Sequence, residues 1–324
     1  MPEPTQWSFP AELQPSAADL AFDLKAVLDA VVMLRADIPE ASFTASILGT
    51  ERSGSGVVID ERGLVLTIGY LITEAETIWL TTNDGTTIAG HPLAYDFATG
   101  FGLVQPLGRL PAPALAQGTT GSVDVDDDVY VIGHGGRAHA LKARIIARRE
   151  FAGYWEYLLD DALFTAPPHP AWSGAALVDD AGRLIGIGSL LVQEEVGDDT
   201  VQGNMFVPVD LLPPLLADVM KHGRSTQAPR PWLGMYTAEI SDHVVVHGLA
   251  KNAPADVAGV HLGDIVVDVA GEKVAGLADL YRKIWQRGAP GVAMPITLAR
   301  HGTIVRVQIR SADRDEYLRK PSLQ

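Results

Sequence analysis

From Gly54 onward the sequence is cut into short apolar, β-branched runs by Gly, Asp and Asn, and this punctuation constrains the fold more than any other feature. The runs Gly56–Asp60, Leu64–Thr67, Thr77–Thr82, Val129–Gly133, Lys142–Arg148, Ala176–Asp179 and Leu184–Leu191 are each long enough for one strand. Asn83-Asp84-Gly85 lies between two such runs and predicts a hairpin turn, because these residues tolerate the left-handed backbone a tight turn needs. Strands that follow one another without regular intervening helices exclude a βαβ architecture. The fold class predicted is mainly β, a barrel or a sandwich. Upstream, Leu20, Leu24, Val27 and Leu28 have helical spacing, which predicts a helix over Ala17–Leu28 capped by Ser16. Val31–Leu34 reads as a strand.

Val207-Pro208-Val209 leads into a helix near Asp210–His222, and Gly223–Pro231 has the composition of an inter-domain linker. Strands are predicted beyond it at Val244–Gly248, Asp264–Val269, Met294–Arg300 and Val305–Ile309, with a helix at Leu277–Gln286. This is a small α+β domain. The expected division is a tail over 1–16, a first domain over 17–222, a linker over 223–230, a second domain over 231–312 and a tail over 313–324. The 324 residues include no cysteine, which excludes disulfides and thiolate metal sites. A formal net charge of −15 disfavours nucleic acid, whose phosphates are held by Lys and Arg clusters. The acidic run Asp124–Asp128 reads as a solvated turn. No ligand spacing points to a metal, and no motif points to a cofactor. No stretch approaches the roughly 18 apolar residues of a membrane span. Met1–Pro15 lacks the basic start and apolar run of a signal peptide, so the expected compartment is the cytoplasm, or the periplasm if a leader precedes this sequence.

The chemistry centres on His169-Pro-Ala-Trp-Ser-Gly-Ala-Ala-Leu177, which reads as the nucleophile loop of a trypsin-like protease with Ser173 as nucleophile. Ser53-Gly-Ser-Gly-Val-Val-Ile-Asp60, Gly63–Thr67, Asp84-Gly85, Asp96–Val104, Gly182–Gly188 and Phe206-Val-Pro208 occur in the order of the HtrA/Deg-type serine proteases. The chain resembles that family over roughly residues 25 to 312. The resemblance implies a trypsin-like double β-barrel followed by a PDZ domain. It also places the family's catalytic histidine at Tyr70, its aspartate at Gly100, and its oxyanion-hole N–H groups at Ala171 and Ser173.

Those substitutions have physical consequences. A phenol with a reference pKa near 10 is protonated at neutral pH and is a poor general base. Gly100 has no side chain with which to orient a base. Loss of the histidine from such a triad costs on the order of 10⁶ in turnover, roughly 8 kcal/mol. His134, His139 and His169 are the histidines nearest the motif in sequence and read as loop or surface residues. Lys142 is the lysine a Ser–Lys pair would use.

Pro231-Trp-Leu-Gly-Met-Tyr236 resembles the carboxylate-binding loop of the family's PDZ domains, supported by Asn252–Ala255, Ala258–Val260, Gly263–Val266 and Val269–Gly271. Successive backbone N–H groups beside Gly234 form an anion nest, and the following strand offers an edge to an extended peptide. Trp232, Leu233, Gly234, Met235 and Tyr236, with Leu280 and Ile284 on one helix face, are the candidate peptide-binding residues. The expected function is a pseudoprotease that holds peptides or protein C-termini through its PDZ domain. An active endopeptidase with an atypical base, and an assembly subunit partnering an active relative, are the alternatives. The resemblance also implies a homo-oligomer, which no motif here specifies.

Overall fold

The computed structural model describes residues 7–196, 199–222 and 225–320, so part of the expected tails and Gly223-Arg224 of the expected linker lie outside the described residues. Two compact units form. The first comprises the chain up to Arg149, Asp161–Ser225 and the residues from Arg319; the second comprises Glu150–Asp160 with Thr226–Leu318.

In the first unit a short helix α1 (Leu24–Asp29) precedes β1 (Val31–Asp37). The expected helix over Ala17–Leu28 is broken. Ala17–Asp19 form one 3₁₀ turn, Ser16 makes no capping bond, and the chain is extended at Leu20. Asp23 restarts the helix by accepting from the Ala26 N–H, a local side-chain bond that competes with continuous helix upstream.

After a single-turn helix α2 (Ala45–Leu48) come β2 (Glu51–Val58), β3 (Val65–Ile68), β4 (Thr77–Thr81), β5 (Thr87–Tyr95) and β6 (Phe101–Pro106). They close with β1 into a barrel in the order β1-β2-β3-β6-β5-β4. Thr82–Thr86 is the hairpin turn expected around Asn83-Asp84-Gly85, with Gly85 at φ +89°.

A second closed barrel has the order β10-β11-β12-β9-β8-β7. It is built from β7 (Asp128–Ile132), β8 (Ala140–Gly153), β9 (Tyr157–Ala166), β10 (Ala176–Val178), β11 (Leu184–Val196) and β12 (Asp199–Pro208). Each barrel is filled by inward-facing residues that exclude water completely, Leu34, Leu66 and Leu103 in one and Leu141, Leu163 and Phe206 in the other. Each such burial is worth about 1.5–3 kcal/mol. Helix α3 (Leu212–His222) follows, buried through Leu212, Leu215 and Val219.

The second unit is a sheet in the order β13-β14-β15-β17-β18. Its strands are β13 (Met235–Ile240), β14 (His243–Leu249), β15 (Ile265–Val269), the two-residue β16 (Glu272–Lys273) paired to β15, β17 (Ala293–Arg300) and β18 (Thr303–Arg310). A one-turn helix α4 (Pro254–Val257) and helix α5 (Leu277–Trp285) complete it. In this sheet β13 is an edge strand, paired only to β14. Leu277, Leu280, Tyr281 and Ile284 are the buried face of α5.

Candidate functional site

Ser173 stands in the loop before β10, and the sequence around it is shaped by close backbone approach. The Ser55 N–H of β2 donates to the Ser173 carbonyl at 2.8 Å. A β-carbon at Gly54 would fall 2.6 Å from that carbonyl oxygen. One at Gly174, where φ is +74°, would fall 1.9 Å from the Ser55 carbonyl oxygen. Thr67 of β3 donates its hydroxyl to the Ser55 carbonyl at 2.7 Å and fixes β2 from the other side. The Ser-Gly-Ser-Gly run and the Ser-Gly pair are thus two halves of one contact.

Tyr70 lies in the 3₁₀ turn after β3 and reaches Ser173. Its hydroxyl is 2.8 Å from Ser173 Oγ and 2.8 Å from the Ser189 carbonyl oxygen of β11. Burial pushes the phenol up to about 12, outweighing the hydrogen bond to Ser173, which favours ionisation. Arg52 anchors the turn. Its guanidinium donates to the Tyr70 carbonyl at 2.6 Å and to the Thr73 carbonyl at 3.1 Å, while burial lowers it to about 10.

Gly100 is adjacent through its carbonyl, which accepts from the Gly69 N–H at 2.7 Å. Its φ of +83° is the left-handed region that glycine occupies without strain. Asp96 folds back on its own turn and accepts from the Thr99 N–H and hydroxyl. The structure therefore brings Ser173, Tyr70 and Gly100 together.

Ala171 does not adopt a positive φ. Its N–H donates to His169 Nδ1 at 3.0 Å, so it is engaged within the loop. His169 is completely buried under Trp7 and Phe9, its ring centroid 5.6 Å and 5.1 Å from theirs. With Nδ1 accepting, Nε2 carries the proton and donates to the His139 carbonyl at 2.9 Å. Desolvation lowers this imidazole to about 4, so it is neutral at physiological pH and both nitrogens are occupied. His134 pairs with Ser55, its Nδ1 3.2 Å from Ser55 Oγ, and its pKa is lowered by burial first and by His139 second. The His139 ring stacks on Trp7 at 4.4 Å. Each of these histidines is bound to a partner other than Ser173. Lys142 is placed by its backbone, which donates to the Leu13 carbonyl.

In the second unit the N–H groups of Leu233, Gly234 and Met235 converge on one acceptor, the Glu156 carboxylate. Gly234 donates at 2.8 Å and Met235 at 3.1 Å to Oε1, and Leu233 donates to both oxygens at 3.2 and 3.1 Å. Gly234 has φ +70°, and a β-carbon there would strike the Ala253 methyl at 2.4 Å. Trp232, Leu233 and Met235 are buried, and Tyr236 is half-buried. Leu280 and Ile284 belong to the same apolar cluster as Leu233 and Met235.

Two domain profiles match. A trypsin-like peptidase domain matches residues 54–187 and a PDZ domain matches residues 231–310. The Arabidopsis thaliana "Protease Do-like 1, chloroplastic" is 28% identical over 76% of this chain. The Haemophilus influenzae "Serine endoprotease DegS" is 22% identical over 79% of it. The chain therefore carries a trypsin-like peptidase domain followed by a PDZ domain, and its relatives are named as Do-like and DegS serine proteases. It spans 60% of the length of the Arabidopsis protein and 76% of that of the Haemophilus one. A solved "HtrA-type protease AlgW with decapeptide" shares the fold, with a TM-score of 0.53, 20% identity and coverage of 93% of this chain and 100% of that one.

Leu233–Met235 and the edge strand β13 both lie within the residues that match the PDZ domain. Ser189, Arg52 and Glu156 are the residues that sequence reasoning missed. None carries a local signal, since Ser189 acts through its carbonyl and Glu156 lies 77 positions before Leu233.

Proposed function

We propose that this chain is an HtrA-type pseudoprotease: a trypsin-like scaffold without an operating nucleophile, joined to a PDZ domain that takes the C-termini of partner proteins. One observation carries the reading, the Tyr70 phenol at 2.8 Å from Ser173 Oγ where the family's base should stand. A general base must accept the serine proton, and a phenol whose pKa is pushed up to about 12 keeps its own proton and cannot take a second. The Ser189 carbonyl can only accept, so the single phenol proton goes to it and the Ser173 hydroxyl is left bonded to the oxygen of a neutral phenol. Engagement of the Ala171 N–H by His169 and the bare Gly100 support the same reading, because one of the two oxyanion donors is turned to another acceptor and Gly100 supplies no orienting carboxylate. For binding, the nest and the edge of β13 are the features that hold an extended peptide with a free carboxylate. The apolar cluster around Leu280 and Ile284 favours an apolar last residue.

The test is a fluorophosphonate labelling and casein-degradation assay on the wild type, Ser173→Ala, and the double variant Tyr70→His, Gly100→Asp. Wild type is expected to label and degrade at the Ser173→Ala background. Aspartate at φ +83° is strained by only about 1 kcal/mol, so the double variant is sterically admissible. Wild-type degradation that disappears in Ser173→Ala would overturn the reading.

A further inference from the structure

The PDZ nest is filled by the chain itself. Between the end of β8 at Gly153 and the start of β9 at Tyr157, the turn Tyr154–Glu156 presents Glu156 to the N–H groups of Leu233, Gly234 and Met235. Glu156 has φ +60°, a conformation that costs a non-glycine residue about 1–2 kcal/mol and persists only where surroundings impose it. The surroundings here are those of a bound peptide. The Thr237 N–H donates to the Tyr154 carbonyl at 3.1 Å, a strand-addition bond to the edge of β13 two residues before the carboxylate. Tyr281 of α5 donates its hydroxyl to the Gly153 carbonyl at 2.7 Å. Leu158 is buried in the apolar cluster that holds Leu233, Met235, Leu280 and Ile284. Carboxylate in the nest, backbone on the strand edge and an apolar side chain in the cluster are the contacts by which a PDZ domain holds a C-terminus.

We propose that the tip of the β8–β9 hairpin is a tethered ligand of the PDZ domain. Glu156 stands in for a partner's terminal carboxylate, so an external C-terminus enters only after the tip has left. This inference rests on the peptide-binding reading above and adds its regulation.

The experiment uses the full-length ¹⁵N-labelled chain as wild type, Glu156→Ala and Glu156→Gln. The probe is an acetylated hexapeptide ending in leucine with a free carboxylate, compared with the same peptide as its C-terminal amide. The amide signals of Leu233, Gly234 and Met235 are the readout. A groove open for only a fraction of the time binds more weakly by that fraction, so the free-carboxylate peptide is expected to bind Glu156→Ala at least about tenfold more tightly than wild type. Glu156→Gln, which keeps the side chain's shape but puts an amide NH₂ where Oε2 accepts from the Leu233 N–H, is expected between them, and the amidated peptide is expected to move none of the three signals. Identical titrations in wild type and both variants would overturn the tethered ligand and leave peptide binding standing. Signals of residues 233–235 that respond to removal of Glu156 but to neither peptide would instead overturn the peptide-binding reading, and this inference with it. Glu156→Gln keeps the test decisive if Glu156→Ala unfolds the tip.

Discussion

Around Ser173 the shape of the loop and its chemistry come from different residues. Shape comes from Gly54, Gly174 and Ser55, which let two backbone segments meet. Chemistry comes from Tyr70, Gly100 and Ala171, and these are the positions that differ from the family pattern. The two sets can therefore be separated by substitution. Gly174→Ala forces a β-carbon to 1.9 Å from a carbonyl oxygen at a φ of +74°. Strain and overlap together predict a loss of at least about 3 kcal/mol. Ser173→Ala removes one hydroxyl and is expected to cost about 1 kcal/mol or less. Denaturant midpoints compare the two directly, and near-equal values would refute the steric account of this loop. Tyr70 and Gly100 were legible as neighbours of the Ser173 loop because each lies a short, fixed distance from a strand with its own apolar signature, Tyr70 after Leu64–Thr67 and Gly100 before Phe101–Val104. The engagement of Ala171 was not legible. The loop takes a conformation without a positive φ at Ala171 and hands its N–H to His169, a bond made within the loop that no spacing in the sequence signals.

Elements whose burial alternates or runs continuously could be read from the sequence, and those half-exposed along their length could not. β5 carries no fully buried residue and is bulged between Pro92 and Ala94. β9 is interrupted by Asp160 and Asp161, so its apolar halves do not read as one strand. That interruption falls where the chain passes from one compact unit to the other, since Asp160 belongs to the second unit and Asp161 to the first. Sequence reasoning had assigned the whole of 17–222 to the first domain, because membership in a core is decided by long-range contact. Leu158 makes the consequence measurable. It is 8% exposed and belongs to the cluster of the second unit. Leu158→Ala is expected to destabilise that unit by about 2–4 kcal/mol, the range for truncating a buried leucine. Hydrogen exchange at Leu280 and Ile284 should speed up accordingly while exchange at Leu141 and Leu163 stays unchanged. Equal acceleration at both pairs would show that the tip does not belong to the second unit's core.

Across the whole molecule, pH acts on the two units in opposite directions. In the first unit, His169 is held near 4 against an ordinary 6.5, chiefly by desolvation, which outweighs the hydrogen bond to the His139 carbonyl. The folded state then binds fewer protons than the unfolded one between those values, so stability is full above pH 6.5 and is lost as pH falls towards 4. Protonation at Nδ1 also breaks the bond from the Ala171 N–H. In the second unit, Glu156 is raised to about 7 from 4.5. Desolvation outweighs the N–H donors and Arg314, while Tyr236 and Tyr281, both raised, stay neutral. Here the folded state binds more protons, so the closed tip is most stable below pH 4.5 and loses stability as pH rises through 7. Both carboxyl oxygens receive the Leu233 N–H, but only Oε1 receives those of Gly234 and Met235, which leaves Oε2 able to hold the proton. Each effect has an upper bound on the order of 3 kcal/mol. Exchange protection factors remove the intrinsic pH dependence of amide exchange. Between pH 6.5 and 5 they are expected to fall at Ala171 and rise at Gly234. The same sign at both positions would show that one of these two groups does not titrate as its surroundings dictate. Opposite signs would mean that mild alkalinity, by charging Glu156, loosens the tip from the PDZ nest and leaves the packing around His169 intact.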